Sequence, residues 1–236
     1  MQKNTFKVNT LKIKNNEDIL LDIAFDIKSS VALIGESGSG KSLTLKALLG
    51  MLPSNLNAES LFNNNFITNG SETEHIGYVP QNPFTSLSPL TKIKDHFLCS
   101  HQKQKELLEL VDMDIDSLNK FPMQLSGGQL QRIVIALSLE KNPKLLLLDE
   151  PTTALDSTNK RNILNLLKSL QSKFGFKMLF VTHDINSIKD ICEDILILQN
   201  GNICESGKTM EVLSNPKTNY TKNLIESNFT NREFRV

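Results

Sequence analysis

The sequence predicts an α/β fold with a central, mainly parallel sheet, an N-terminal antiparallel β subdomain and an inserted helical subdomain. Three observations carry this. Apolar residues alternate near the N-terminus, as in antiparallel strands with one buried face. Further on, several short apolar runs are continuous, as in strands buried on both faces of a parallel sheet. A glycine-rich loop joins the first of those runs to a helical stretch.

The elements follow in order. Phe6, Val8, Leu11 and Ile13, then Ile19, Leu21, Ile23, Phe25 and Ile27, form the antiparallel part. "VALI" at 31–34, "LLLL" at 145–148, "MLFV" at 178–181 and "ILIL" at 195–198 are the buried strands. Lys41–Leu49 follows the glycine loop as a helix. A second helix spans Asn162–Leu170, with Ile163, Leu166, Leu167 and Leu170 on one face and Gly175 to end it. The spacing of Ile185, Ile188 and Cys192 suggests a third. From about Thr91 to Met123 no strand-like run occurs, and Leu107, Leu108, Leu110 and Val111 favour helix. The chain therefore reads as one domain, with residues 1–90 and 140–236 as the core and about 91–139 as a helical insertion. "ILILQNGNICESG" is a hairpin turning at Asn200-Gly201. "FNNNF" and "NGSETEH" are short loops.

Composition bounds the function. The 236 residues, 39% of them hydrophobic, suffice for a large core. Twenty-six basic side chains balance 26 acidic ones, so no net field recruits nucleic acid or anionic lipid. Cys99, Cys192 and Cys204 are odd in number and far apart, which suits reduced thiols in a cytoplasmic chain. The first residues lack a signal-peptide core, and no apolar run approaches the roughly 18 residues that cross a bilayer. Membrane association is expected only through a partner.

Gly35-Glu36-Ser37-Gly38-Ser39-Gly40-Lys41-Ser42 fits G-x-x-x-x-G-K-S, after an apolar strand and before a helix that continues with Leu43. Its backbone N–H groups would cradle the phosphates of a nucleotide, Lys41 would add a point charge, and the Ser42 hydroxyl would ligate Mg²⁺. "LLLLDE" supplies the second half of such a site. Asp149 closes a buried strand, placed to orient Mg²⁺, and Glu150 is the candidate to polarise a water attacking the γ-phosphate. His183 follows "MLFVT" at the carboxyl end of a strand, the edge that faces ligand in an open α/β sheet, and is read as a γ-phosphate donor. Gln81 in "YVPQNP" is read as reaching the metal or the lytic water. A second bare helix start lies in "QLSGGQLQR", where Ser126, Gly127, Gly128 and Gln129 read either as an anion site or as a turn capped by Ser126. His96, Cys99 and His101 in "DHFLCSH" are not read as a metal site: on a helix only the first pair shares a face.

In the order glycine loop, Gln81, "LSGGQ", "LLLLDEP", "ALD", His183, the chain resembles the nucleotide-binding subunits of ABC transporters over nearly its whole length. The resemblance implies an ATPase using ATP and Mg²⁺. It implies that Ser126–Gln129 close over the γ-phosphate held by a second ATPase subunit, identical or paralogous, and that Asp156 of "ALD" belongs to the nucleotide site. It further implies two transmembrane permease subunits, an extracellular or periplasmic solute-binding protein, no nucleic acid, and a cytoplasmic position, peripheral on the membrane. "PQNPFTSLSPL", "DEPTTALD" and "NPKTNYTKNLI" are similar to the oligopeptide/dipeptide/nickel importer branch, and "GKSLTLKALLGMLP" with "SGGQLQR" leans to its nickel type. Asn15 stands near the place where the family usually stacks an aromatic on adenine, and "DIKSSVALIG" leaves a short connection before the phosphate-loop strand. The rival is a soluble ABC-type ATPase uncoupled from transport, a repair or assembly module. A third reading is a dimerisation module that binds ATP without hydrolysing it, against which Glu150 and His183 both speak.

Overall fold

In a computed structural model, which describes residues 5–62 and 75–230, apolar patterning translates directly into strands. Chain order is β1 (Phe6–Asn15), β2 (Asp18–Ile27), β3 (Ser30–Ile34), α1 (Lys41–Leu48), β4 (Asn57–Phe62), β5 (Ile76–Val79), α2 (His101–Leu110), α3 (Gly127–Leu139), β6 (Leu145–Asp149), α4 (Ser157–Phe174), β7 (Lys177–Thr182), α5 (Ile185–Ile188), β8 (Asp194–Gln199), β9 (Asn202–Lys208), α6 (Thr209–Ser214) and α7 (Asn219–Thr230). The chain divides into two compact units, Met1–Thr73 with Lys177–Val236, and Glu74–Phe176.

The first unit holds the antiparallel sheet β2-β1-β4 and the strands β7-β3-β8-β9. Phe6, Val8, Leu11 and Ile13 are all buried although Val8 and Leu11 are an odd number of residues apart. A register shift between them restores the phase, as a bulge does. Ile19, expected in the buried alternation, is 54% exposed because it lies at the hairpin end of β2, beyond the covered part of the face. Every residue of β3 is buried, and it pairs in parallel with β7 and β8, so its continuous apolar texture comes from cover on both faces. β9 returns antiparallel to β8 through the expected Asn200-Gly201 turn, with both residues at positive φ, 48° and 76°. Only Lys28 and Ser29 separate β2 from β3, the short connection anticipated.

The second unit pairs β5 with β6 in parallel, covered by α3. Between Thr91 and Leu139 the chain forms short 3-10 turns, α2 and α3, as expected of a helical stretch. Arg132 of α3 ties that stretch together: its Nη1 donates to the Val111 carbonyl at 2.6 Å and to Asp112 at 3.1 Å. α4 starts on the Asp156 cap and ends on Gly175 in the left-handed region, longer at both ends than its apolar stripe indicated.

Some expectations fail. "NAESLF" has no alternation to predict β4, and Phe62, the first residue of the expected "FNNNF" loop, ends that strand. Residues 63–66 of that loop and 69–74 of "NGSETEH" lie outside the described residues. The helix expected to run from Ile185 to Cys192 stops at Ile188. His96 ends a 3-10 turn, Cys99 lies in a bend outside any helix and His101 begins α2, so His96 and Cys99 share no helical face. α6 and α7 were not anticipated.

Candidate functional site

The glycine loop follows β3 in the first unit. Gly40 sits at φ 113°, a conformation that demands glycine, and a Cβ there would also press on the tip of the Leu21 side chain at 2.8 Å. Lys41, 9% exposed, opens α1 and donates its ammonium protons to the carbonyls of Gly35 and Glu36, each at 2.7 Å. Thr44 Oγ1 donates to the Gly40 carbonyl, closing the first turn. The β8–β9 hairpin supports the loop from outside: Gly201 N–H donates to the Ser39 carbonyl, and Asp22 N–H donates to the Gly201 carbonyl. Ser39 Oγ is buried with no protein partner. The orphaned Ser39 hydroxyl, beside an ammonium that rests on the Gly35 and Glu36 carbonyls, suits a phosphate, which would supply a charged acceptor.

The parallel register sets Ile34 beside Thr182, so the Gly35 loop and His183 leave the same edge of the sheet. His183 is exposed in the turn after β7, where Thr182 Oγ1 accepts the Asp184 N–H and Asp184 caps α5.

In the second unit, register again explains the cluster. Val79 of β5 lies opposite Leu148 of β6, so Gln81 and Glu150, each two residues further on, emerge together. Gln81 Nε2 donates to Glu150 Oε2 at 3.1 Å, and Thr153 Oγ1 donates to the same oxygen at 2.9 Å. Glu150 itself has φ 44°, a left-handed backbone that a residue other than glycine adopts under strain. Gln81 thus meets the Glu150 carboxylate through its amide nitrogen, which leaves its amide oxygen for another contact. Asp149 accepts a hydrogen bond from the Tyr78 hydroxyl at 3.3 Å. Burial, then the Asp149 charge, push the Tyr78 phenol up to about 12, so it remains a donor at any ordinary pH.

α3 begins with a reciprocal cap. Ser126 Oγ accepts the Gln129 N–H at 3.3 Å, and Gln129 Oε1 accepts the Ser126 N–H at 3.0 Å. The capped-turn reading of "LSGGQ" is therefore realised, and the Gln129 side chain is turned back on its own helix. The amides of Gly127 and Gly128 lie in the first turn, where no helical carbonyl precedes them. Asp156 caps α4, accepting from the amides of Thr158 and Asn159 at 3.0 Å each and from Asn159 Nδ2 at 2.6 Å. The Asn159 N–H, then its side chain, hold the Asp156 carboxyl below the usual range. The same Asn159 amide packs on Gly128, where a Cβ would lie 3.1 Å from Oδ1, so "ALD" and "LSGGQ" meet inside this unit.

Tyr78, Thr153, Asn159 and Tyr220, whose hydroxyl accepts the Glu36 N–H, were missed as contributors. For the first, counting residues across the β5–β6 register would have found it; Thr153 and Asn159 each lie three residues after the carboxylate they bond, a spacing that marks them; for Tyr220 no local pattern marks the contact.

The sequence profile of the family described as ABC transporter matches residues 20–153. The chain belongs to the ABC transporter family. It is 37% identical over 227 residues to the oligopeptide transport ATP-binding protein OppD of Bacillus subtilis (strain 168), covering 86% of this chain and 63% of that relative. Identity is 36% over 240 residues to the dipeptide transport ATP-binding protein DppD of Caldanaerobacter subterraneus subsp. tengcongensis, covering 91% and 73%. It is 36% over 234 residues to the methionine import ATP-binding protein MetN 1 of Staphylococcus aureus (strain N315), covering 92% and 68%. The chain thus spans somewhat less than two thirds of OppD. Among solved structures, cbiO1 from Clostridium perfringens, part of the ABC transporter complex cbiONQ, superimposes with a TM-score of 0.76 at 27% identity, covering 89% of this chain and 90% of that one. The ABC α/β fold, with its antiparallel β subdomain, is the one the sequence predicts.

Proposed function

We propose that this chain is the ATP-binding and hydrolysing subunit of a binding-protein-dependent ABC importer of the oligopeptide/dipeptide/nickel branch. The observation that carries the reading is Glu150, turned out of β6 at positive φ and clamped by Gln81 and Thr153. A carboxylate so oriented serves as the base that polarises the lytic water. Residues Gly35–Leu43 hold the phosphates, Lys41 contributes the charge and His183 donates to the γ-phosphate. Ser42, Gln81 and Asp149 offer the hard oxygen donors that suit Mg²⁺, which when bound would neutralise developing phosphate charge. Tyr78 keeps the Asp149 carboxylate oriented.

The capped start of α3 and the Asp156–Asn159 turn form one surface within the second unit. In this reading Ser126, Gly127 and Gly128 close over the phosphate held by a second ATPase subunit, identical or paralogous, with Gln129 setting the helix start. Two permease subunits, served by an extracellular or periplasmic solute-binding protein, complete the importer and hold the chain peripherally on the cytoplasmic face. Among the described residues no helix is long and apolar enough to cross a membrane. Their docking surface on the second unit is a groove beside Pro80, Thr85, Leu87, Val134 and Leu137, near the exposed Phe84 and Leu90. Similarity to OppD and DppD supports peptides as the solute; "GKSLTLKALLGMLP" and "SGGQLQR" incline the reading to nickel or another metal complex. Solute binding by the partner binding protein separates the two. The uncoupled soluble ATPase has no observation in its favour.

Glu150→Gln tests the central claim: ATP binding persists while turnover falls at least about a hundredfold, as for loss of a positioned base. Near-normal hydrolysis by that variant removes Glu150 from the role.

A further inference from the structure

We propose that Tyr220 is a positioning residue of the phosphate loop, through which the C-terminal helix α7 sets the affinity for nucleotide; the inference rests on the ATP-binding reading above. The Glu36 N–H donates to the Tyr220 hydroxyl at 3.0 Å, and that hydroxyl donates onward to the Leu198 carbonyl of β8 at 3.4 Å. The peptide plane involved joins Gly35 to Glu36. Its other end, the Gly35 carbonyl, accepts from Lys41 Nζ at 2.7 Å. Tyr220 and Lys41 therefore hold opposite ends of one peptide unit. A plane next to a glycine turns over at little cost, and turning this one would carry away a carbonyl on which the ammonium rests. The Leu198 carbonyl also lies close to Gly35, so that a side chain there would strike its oxygen and only glycine fits.

Tyr220 is itself fixed. Glu205 of β9, 8% exposed, accepts the N–H groups of Lys217 at 2.9 Å and Thr218 at 3.1 Å, tying down the turn that leads into α7. Thr218 Oγ1 accepts the Thr221 N–H at 3.1 Å and shares a hydrogen bond with the Thr221 hydroxyl, and Leu224 and Ile225 bury the inner face of the helix. A half-buried ring on a pinned helix thus reaches the loop with its hydroxyl alone. The effect is preorganisation: the loop is held in shape before ligand arrives, and binding is spared the ordering cost. Hydrolysis, assigned to groups that Tyr220 does not touch, keeps its rate.

Tyr220→Phe in the full chain retains the ring and removes both hydrogen bonds. Expected are a rise of about fivefold in KM for ATP and in Kd for a fluorescent ATP analogue, the scale of one net hydrogen bond. kcat stays within about twofold, and amide exchange at Glu36 speeds up in nucleotide-free protein while the Tm holds. An unchanged Kd overturns the inference, as does a fall in Tm and kcat with Kd unmoved, the pattern of a merely structural helix contact. Failure of the unsubstituted chain to bind the analogue would count against the nucleotide reading instead, and the Glu36 exchange comparison, made without nucleotide, would still decide the Tyr220 contact.

Discussion

At Tyr78 a hydroxyl one residue short of the end of a parallel pair reaches the carboxylate of Asp149, and the environment of that hydroxyl fixes its titration. The neutral phenol is favoured in the folded chain, where its pKa is about 12 against an ordinary 10.0. Its contribution to stability is therefore complete below about pH 10 and is lost as pH rises through about 12. The chain has two tyrosines, so in Tyr220→Phe the remaining phenol is Tyr78. Tyrosinate absorbance in that variant is expected to rise about two pH units later in folded than in unfolded protein. Cys192 gives a second residue-scale prediction. Burial pushes its thiol well above the usual range, and burial likewise takes Cys99 up to about 11. Iodoacetamide at neutral pH should leave Cys192 unmodified in native protein and label it readily in urea, as peptide mapping would show.

The β8–β9 hairpin and the start of α7 act as elements rather than as single side chains. Gly201 at φ 76° lets the hairpin bond at once to Ser39 of the glycine loop and to Asp22 of β2, and a Cβ there would run into the Leu20 carbonyl. Gly201→Ala is expected to cost about 2 kcal/mol or more from strain and clash, read from urea unfolding, and to raise KM for ATP because the loop moves with the turn. Glu205 governs the other element. Burial raises its carboxyl, but hydrogen bonds from Thr221, Lys217 and Thr218 outweigh that and leave it below the usual range. A depressed carboxyl stabilises fully above its unfolded value of 4.5 and loses that contribution as pH falls through its folded value. Glu205→Gln should therefore cost about 1 kcal/mol at pH 7, and the gap from the unsubstituted chain should close in acid.

Over the whole molecule, the defining prediction is association. Glu150→Gln with ATP and Mg²⁺ should run as a dimer in size-exclusion chromatography, alone or with a paralogous partner, and as a monomer once ATP is withdrawn. A strict monomer in every combination would remove the shared-site reading of Ser126–Gln129. The fold was legible in one dimension because it depends on local rules, and so was where the candidate residues would fall along it: continuous apolar runs mark strands covered on both faces, and G-x-x-x-x-G-K-S marks a turn between a strand and a helix. "NAESLF" was not legible, because β4 is held by pairing with β1 and not by its own pattern. The helix after Asp184 ended early for a similar reason, its apolar spacing continuing past the last helical residue. By itself, then, the sequence determined the α/β class, the glycine turn between β3 and α1, the acidic pair at the end of β6 and the "LSGGQ" helix start. Tertiary structure alone decided that Gln81 reaches Glu150, that Tyr78 serves Asp149, that Asn159 packs on Gly128 and that Tyr220 grips the glycine loop. Those contacts join residues that register and chain return bring together, and no spacing rule along the chain encodes a meeting across 184 positions.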